Sequence, residues 1–302
     1  MLCTKKICLL IAFLLLCTSC SSNQQDKVKE TMESYPKSPA VTENQILYPK
    51  ELGKDVLKTK IAIIDYTQCN DGYIYVHAQF KDNKKVKIQI AKGETKYNYD
   101  LHKDEATALP LQMGSGNYLV KVLQHMEQNQ YAIVDVIEFH ADIKETTSPF
   151  RYPNQIAWYE KGDDIISFAL DTVKDADNDL KRIHDIYNKV AQTITYDDAK
   201  AKQASNKYMI PNLKDVLKRK RGICFDYAAL MTAMLRINHI PARLICGNTD
   251  IEYHAWVEVY VEGQGWVNPD IYVDEETWTR IDPTFAAQKF QYDGSYDAVY
   301  YY

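Results

Sequence analysis

An α+β fold preceded by a small all-β region is predicted by the hydrophobic period, which changes twice along the chain. From about residue 46 to 145, apolar and polar residues alternate, as in half-buried strands. After residue 146 the apolar residues recur at three- and four-residue steps, the period of a helix, and alternation returns at His254. Helices followed by antiparallel strands are typical of an α+β domain in which the helices pack on the sheet. The length of 302 residues suits two domains.

The first 20 residues have the form of an export signal. Two lysines precede an apolar run from Ile7 to Leu16, which is too short to span a bilayer. Thr18-Ser19-Cys20 resembles the lipobox of bacterial lipoproteins, so we expect residues 1–20 to be a lipoprotein-type signal and Cys20 to carry the lipid. Cys17 stands where leucine is more usual, which leaves ordinary signal cleavage open. We expect an exported protein, lipid-anchored to the bacterial membrane at the cell surface or in the periplasm.

Residues 21–45 are polar and are predicted to be a linker, and residues 46–145 are predicted to form the small, sandwich-like β domain. A turn is predicted at Asp82-Asn83. The strands with the clearest alternation are predicted at 73–80, 86–90, 118–122 and 131–139. Two roles are open for this domain: a spacer that holds the rest of the chain off the membrane, or a module that binds a wall polymer or a partner.

Two helices are predicted in the second half of the chain. The first is amphipathic and covers Asp177 to about Thr193. The second starts at Cys224, two residues after Gly222, and must stop before Pro241. A cysteine at a helix N-terminus lies near unpaired backbone N–H groups and the positive end of the helix dipole, and both favour the thiolate. Cys224 is therefore a candidate nucleophile.

The candidate base is a histidine that follows this cysteine in the sequence. His239 lies where the helix ends and is expected at the surface. His254 opens an alternating run and is expected on a strand, which would hold an imidazole rigidly against the helix. Two aspartates, Asp270 and Asp282, each follow a tryptophan by four residues, and either can orient the imidazole.

These residues lie in motifs that resemble those of the transglutaminase-like superfamily, a papain-like group of cysteine enzymes. The resemblance covers about a third of the chain and implies a transglutaminase-like domain over residues 146–302. It also implies Cys224 as nucleophile, His254 as general base and Asp282 as orienting carboxylate. Asp282 is favoured because it begins the Asp-Pro-Thr motif of the family, although Asp270 has the expected position in the sequence. The matching segments are Gly222–Ala228, Ile240–Arg243, His254–Val259 and Trp278–Thr284.

The function implied is acyl transfer: the thiolate attacks a carboxamide or peptide carbonyl, and the N–H of Cys224 helps to bind the oxyanion. We expect hydrolysis of peptide, isopeptide or amide bonds in the cell envelope or outside the cell. A protein-glutamine transglutaminase is the enzymatic alternative. An alternative of another class is a surface binding or scaffold lipoprotein with a non-catalytic transglutaminase-like domain.

Composition limits the partners. The net charge of −5 and the absence of a basic stripe argue against nucleic acid. The resemblance implies a protein or peptide substrate, with cell-wall peptide as one candidate. No cysteine and histidine spacing resembles a zinc site, so neither metal nor cofactor is expected. Once a processed signal is removed, Cys69, Cys224 and Cys246 remain as thiols, too few for a disulfide framework, although a Cys69–Cys246 bridge stays possible. The sequence does not predict the oligomeric state.

Overall fold

The computed structural model shows the mixed helix and sheet architecture that the sequence predicts. The residues it describes are 33–80, 84–128, 130–205, 207–267, 284 and 294–302. The predicted signal, the Asp82-Asn83 turn, Asp270 and Asp282 lie outside the described residues. Within the described ranges, no helix has the length and apolar character needed to cross a membrane.

The N-terminal region consists of two four-stranded antiparallel sheets, ordered β1-β2-β3-β6 and β5-β4-β7-β8. This confirms the predicted all-β region. Its strands are β1 (Val56–Lys58), β2 (Ala62–Asp65), β3 (Tyr73–Ala78), β4 (Val86–Lys92), β5 (Thr95–Leu101), β6 (Ala106–Pro110), β7 (Gly116–His125) and β8 (Tyr131–Ala141).

Alternation along these strands gives each sheet one buried face. Ile74 and Val76 of β3 and Ile88 and Ile90 of β4 are fully buried and belong to one apolar core. Although β3 and β4 are consecutive in sequence, they lie in different sheets and do not pair. Each strand instead pairs with antiparallel neighbours in its own sheet.

Five helices are described in the second half of the chain. The predicted amphipathic helix starts two residues later than expected, because the side chain of Asn178 caps it by accepting a hydrogen bond from the N–H of Lys181 at 2.9 Å. The helices are α1 (Asp164–Thr172), α2 (Asp179–Thr193), α3 (Asp198–Ala204), α4 (Leu213–Arg219) and α5 (Cys224–Ile237).

Helix α5 is the centre of this half of the chain. Every residue from Asp226 to Ile237 is buried, because α5 packs against α1 and α2 on one side and the sheet on the other. The fully buried guanidinium of Arg236 donates hydrogen bonds to the backbone oxygens of Ala242, Tyr152 and Tyr302. Burial lowers the pKa of Arg236 to about 10, so the side chain stays charged at neutral pH.

A third four-stranded antiparallel sheet carries the C-terminal part of the chain, in the order β13-β12-β11-β14. The strands are β11 (Ala242–Thr249), β12 (Tyr253–Val261), β13 (Gly265–Val267) and β14 (Tyr296–Tyr301). The pairing of β11 with β14 shifts between Cys246 and Gly247. A Cβ atom on Gly247 would overlap the carbonyl oxygen of Asp297, so only glycine lets β14 approach this closely.

Candidate active site

Cys224 is the first residue of α5 and is partly exposed. The loop before it is shaped by the Asp226 side chain, which accepts a hydrogen bond from the backbone N–H of Ile223 at 2.9 Å. A Cβ on Gly222 would lie only 2.6 Å from the Cβ of Asp226, which explains the glycine two residues before the cysteine. The N–H groups of Cys224 and of the next residue belong to the first helical turn, where no preceding carbonyl of the helix can accept them.

A buried ion pair fixes this helix start to its neighbours. The ammonium of Lys200 on α3 lies 2.7 Å from both carboxylate oxygens of Asp226, whose side chain is 1% exposed. The start of α3 is held in turn by Asp197, which caps the N–H of Lys200 and donates its own N–H to the oxygen of Gly222. The result is a closed set of contacts around the loop that carries Cys224.

Two short strands add to this support. Strand β9 (Thr195–Tyr196) pairs in parallel with β10 (Arg221–Gly222), so Tyr196 lies beside Gly222. The hydroxyl of Tyr227 donates to the oxygen of Ile194 at 2.6 Å, which joins α5 to the residue before β9. Tyr196 is thereby brought to the same cavity as the thiol.

His254 lies on β12, as predicted, and is 1% exposed. It is opposite Gly247 of β11 in the sheet register. Its Nδ1 lies 3.8 Å from a carboxylate oxygen of Glu252, a residue that sequence analysis did not single out. Glu252 precedes His254 by two residues, and residues i and i+2 of an extended segment point to the same side. This spacing was the signal in the sequence that could have indicated Glu252 as a neighbour of His254.

Cys224 and His254 line the same cavity, which has a volume of about 570 Å³. This volume is within the usual range for small-molecule and cofactor sites. The described lining is strongly aromatic, and its two long charged side chains, Lys207 and Glu252, are of opposite sign. Its aromatic lining consists of Tyr196, Tyr208, Phe225, Tyr253, Tyr300 and Tyr302.

The other two described thiols differ from Cys224 in environment. Cys246 lines the cavity, but it is buried. Burial is the larger cause, and the nearby Cys224 the smaller cause, of the raised pKa of its thiol. Cys69 lies in the β region, where burial also raises its pKa. Both are free thiols, so the Cys69–Cys246 bridge that the sequence left open is not formed.

The structure thus brings two predicted site residues together and leaves the others undescribed. Asp282, Asp270 and the predicted lipidation site Cys20 all lie outside the described residues. Across the part of the chain that the structure does describe, no group of three or more His, Cys, Asp or Glu side chains is arranged to hold a metal ion.

The described site therefore combines an α+β fold with a cysteine at the start of a buried helix and a histidine on the adjoining sheet. Residues 166–271 match the family model described as the transglutaminase-like superfamily. This match confirms the resemblance found in the motifs and covers Cys224, His254 and Asp270. No protein with a curated description matches the chain in sequence.

The chain is also similar to several solved structures. A candidate cysteine protease from Cytophaga hutchinsonii is 12% identical, with 76% of this chain and 91% of that chain covered and a TM-score of 0.35. The periplasmic domain of TgpA from Pseudomonas aeruginosa is 12% identical, with 78% and 96% covered and a TM-score of 0.33. A protein described as a TGase is 21% identical, with a TM-score of 0.30, and the match covers 34% of this chain and only 29% of that chain.

Proposed function

We propose that the protein is a cysteine acyl-transfer enzyme that hydrolyses peptide, isopeptide or amide bonds, with Cys224 as nucleophile and His254 as base. The observation that carries the proposal is the shared cavity: a partly exposed thiol at a helix start and a buried imidazole on a strand line the same aromatic pocket. The Lys200–Asp226 ion pair supports it, because a buried pair that fixes one loop is how a reactive group is held in place.

The reaction has two halves. The Cys224 thiolate attacks the carbonyl carbon, and the tetrahedral oxyanion accepts a hydrogen bond from the N–H of Cys224 at the helix start. The imidazolium of His254 then protonates the leaving amine, which gives an acyl-enzyme. Water, deprotonated by His254, attacks the thioester and releases the acid, so the thiolate is regenerated.

A carboxylate completes this arrangement by fixing the imidazole tautomer and stabilising its charged form. Asp282 is the proposed residue, and Asp270 is the alternative. Glu252 is a third carboxylate to be tested, since it lies 3.8 Å from Nδ1 of His254 and is half exposed.

The first test is alkylation of the purified protein by iodoacetamide at about pH 6, followed by peptide mapping. An ordinary thiol with a pKa of about 8.5 reacts slowly there. Cys69 and Cys246 are internal controls, because burial raises the pKa of both. We expect rapid labelling of Cys224 alone.

The same measurement on four variants identifies the partners of the thiol. His254→Ala is expected to slow the labelling of Cys224. Among the three carboxylate variants, Asp282→Ala, Asp270→Ala and Glu252→Ala, one is expected to slow this labelling more than the other two. Slow labelling of Cys224 in a folded protein, unchanged by His254→Ala, would refute the proposal and favour the scaffold alternative.

Hydrolysis and transglutamination differ in the acyl acceptor. A protein substrate with glutamine side chains, incubated with a fluorescent primary amine, reports transfer as covalent fluorescence and hydrolysis as peptide cleavage or conversion of glutamine to glutamate. We expect cleavage or conversion to glutamate without amine incorporation, and no activity in Cys224→Ser. Amine incorporation at a rate above hydrolysis would assign the transglutaminase function instead.

We also propose that the protein is exported and anchored by lipid on Cys20. The support is the sequence of residues 1–20, with its short apolar run and Thr18-Ser19-Cys20. Labelling of cells with a radioactive or alkyne-tagged fatty acid tests this. The wild-type protein should carry the label in the membrane fraction and Cys20→Ala should not.

A further inference from the structure

We infer that the N-terminal β region positions one wall of the substrate site, and that the cavity takes an aromatic or large aliphatic side chain next to the reacting acyl group. This inference rests on the proposed function for the identity of the reacting group. It assigns the β region a role in positioning, in contrast to the spacer role that the sequence left open.

The contacts that carry the inference lie between β5 and β14. The ring of Tyr97 on β5 lies 5.5 Å from that of Tyr300 and 5.8 Å from that of Tyr302, both edge to face. The ring of Tyr99 lies 6.2 Å from that of Tyr302. The hydroxyl of Tyr97 also accepts a hydrogen bond from the N–H of Tyr301 at 3.3 Å. Two buried rings of the β region therefore hold the end of the C-terminal strand.

A glutamine strengthens the same junction. The amide nitrogen of Gln112, in the segment after β6, donates to the hydroxyl of Tyr99 at 2.9 Å and to the backbone oxygen of Tyr301 at 3.0 Å. From the other side, Arg236 donates to the backbone oxygen of Tyr302 at 2.9 Å. The last residues of β14 are thus fixed between the β region and helix α5.

The residues held in this way are cavity residues. Tyr300 is opposite Cys246 in the sheet, and Cys246 is opposite Ala255, so one row across three strands faces the cavity. Tyr300 and Tyr302 line the cavity, whereas Tyr97 and Tyr99 lie behind them and do not. The β region therefore acts on the cavity through the position of β14.

The chemistry of the lining indicates the ligand class. Among the described residues that line the cavity with the thiol, six are aromatic, and one lysine and one glutamate are the long charged side chains. Aromatic rings pack well against other rings and against branched aliphatic chains. An acyl donor with such a side chain would bury it against Tyr300 and Tyr302 while its carbonyl reaches Cys224.

Irreversible probes on the full chain test this inference. N-acetyl-phenylalanine, N-acetyl-alanine and N-acetyl-glutamate chloromethyl ketones present the same reactive group, from which a thiolate displaces chloride. We expect Cys224 to react with the phenylalanine probe about tenfold faster than with the alanine probe, as one well-filled apolar pocket typically discriminates. The glutamate probe should be no faster than the alanine probe.

Variants separate the role of the β region from general stability. Tyr97→Leu, which removes a ring outside the cavity, should lower the phenylalanine-to-alanine rate ratio several-fold, and Tyr97→Phe, which keeps the ring, should largely retain it. Tyr118→Leu is the matched control, because Tyr118 is equally buried in the β region but its ring stacks on Phe139. Tyr300→Leu tests the cavity wall directly at a residue that is 37% exposed.

The outcomes distinguish this inference from the proposed function. Fast labelling by iodoacetamide with equal rates for the phenylalanine and alanine probes would refute the inference and leave the nucleophile intact. An equal fall in the rate ratio for Tyr97→Leu and Tyr118→Leu would refute the role of β5. If no reagent labels Cys224 rapidly, the proposed function fails. The cavity is then tested by binding of N-acetyl-phenylalaninamide and N-acetyl-alaninamide to Cys224→Ser, where equal affinity overturns the inference.

Discussion

Replacing Asp226 by alanine should destabilise the protein strongly, because this carboxylate joins three parts of the site. It pairs with the ammonium of Lys200, whose side chain is 12% exposed, and accepts the N–H of Ile223. Removing one partner of a buried ion pair typically costs about 3–5 kcal/mol, and losing a helix cap about 1 kcal/mol. The two losses overlap, so we expect the free energy of unfolding to fall by about 4 kcal/mol.

Urea unfolding followed by far-UV circular dichroism measures this change, with the slope of the transition compared between variants. Asp226→Asn is the matched control: its amide oxygen can still accept the N–H of Ile223, so about half of the loss is expected. A double-mutant cycle that combines Asp226→Ala with Lys200→Met should give a coupling free energy of at least about 1 kcal/mol, because charges in contact do not contribute independently to stability. A loss below about 1 kcal/mol for Asp226→Ala, or strict additivity in the cycle, would refute the reasoning.

Three further changes have expected outcomes that thermal or urea unfolding can check. Gly247→Ala would place a methyl group against the backbone of β14 at Asp297, so we expect the free energy of unfolding to fall by at least about 2 kcal/mol. The phenylalanine probe should also react more slowly. An unchanged stability would contradict the close approach of β14 to Gly247. Arg236→Met leaves buried backbone oxygens of three segments without their donor and should cost about 3 kcal/mol, with Arg236→Lys intermediate; equal stability of the two variants would contradict this. Burial acts to raise the pKa of Asp65, but hydrogen bonds from neighbouring backbone N–H groups outweigh it and hold the pKa below its usual value of 3.8. A carboxyl with a lowered folded pKa stabilises the fold above about pH 4, and the contribution is lost as pH falls through the folded value. The stability difference between wild type and Asp65→Asn should therefore be larger at pH 7 than at pH 2, and a constant difference would contradict the assignment.

The order of residue types within a short segment was sufficient to predict each part of the site that lies within a single helix or strand. The start of α5 at Cys224 follows from the glycine before it and the apolar residues after it, and the strand at His254 follows from alternation. The transglutaminase-like resemblance rests on the same segments, and the family match over residues 166–271 confirms it. The choice between Asp270 and Asp282 stays a prediction, because both lie outside the described residues.

Long-range contacts could not be predicted from the sequence. Lys200 and Asp226 are 26 residues apart, and nothing in either segment marks one as the partner of the other. The complete burial of α5 was also missed, because a helix in contact with other elements on every side has no polar face for the periodicity to reveal. The aromatic walls of the cavity come from separate parts of the chain, so no single segment of the sequence indicates them.

The junction of Tyr97 with Tyr301 has a consequence for the order of folding. These residues are 204 positions apart in the chain, and forming their contact closes a very long loop. Contacts of such high sequence separation are entropically costly to form and tend to follow local structure. We therefore expect the helix carrying Cys224 and the strand carrying His254 to form before the cavity acquires its last wall. A partly folded or partly synthesised chain would possess the reactive thiol without the means to select a substrate.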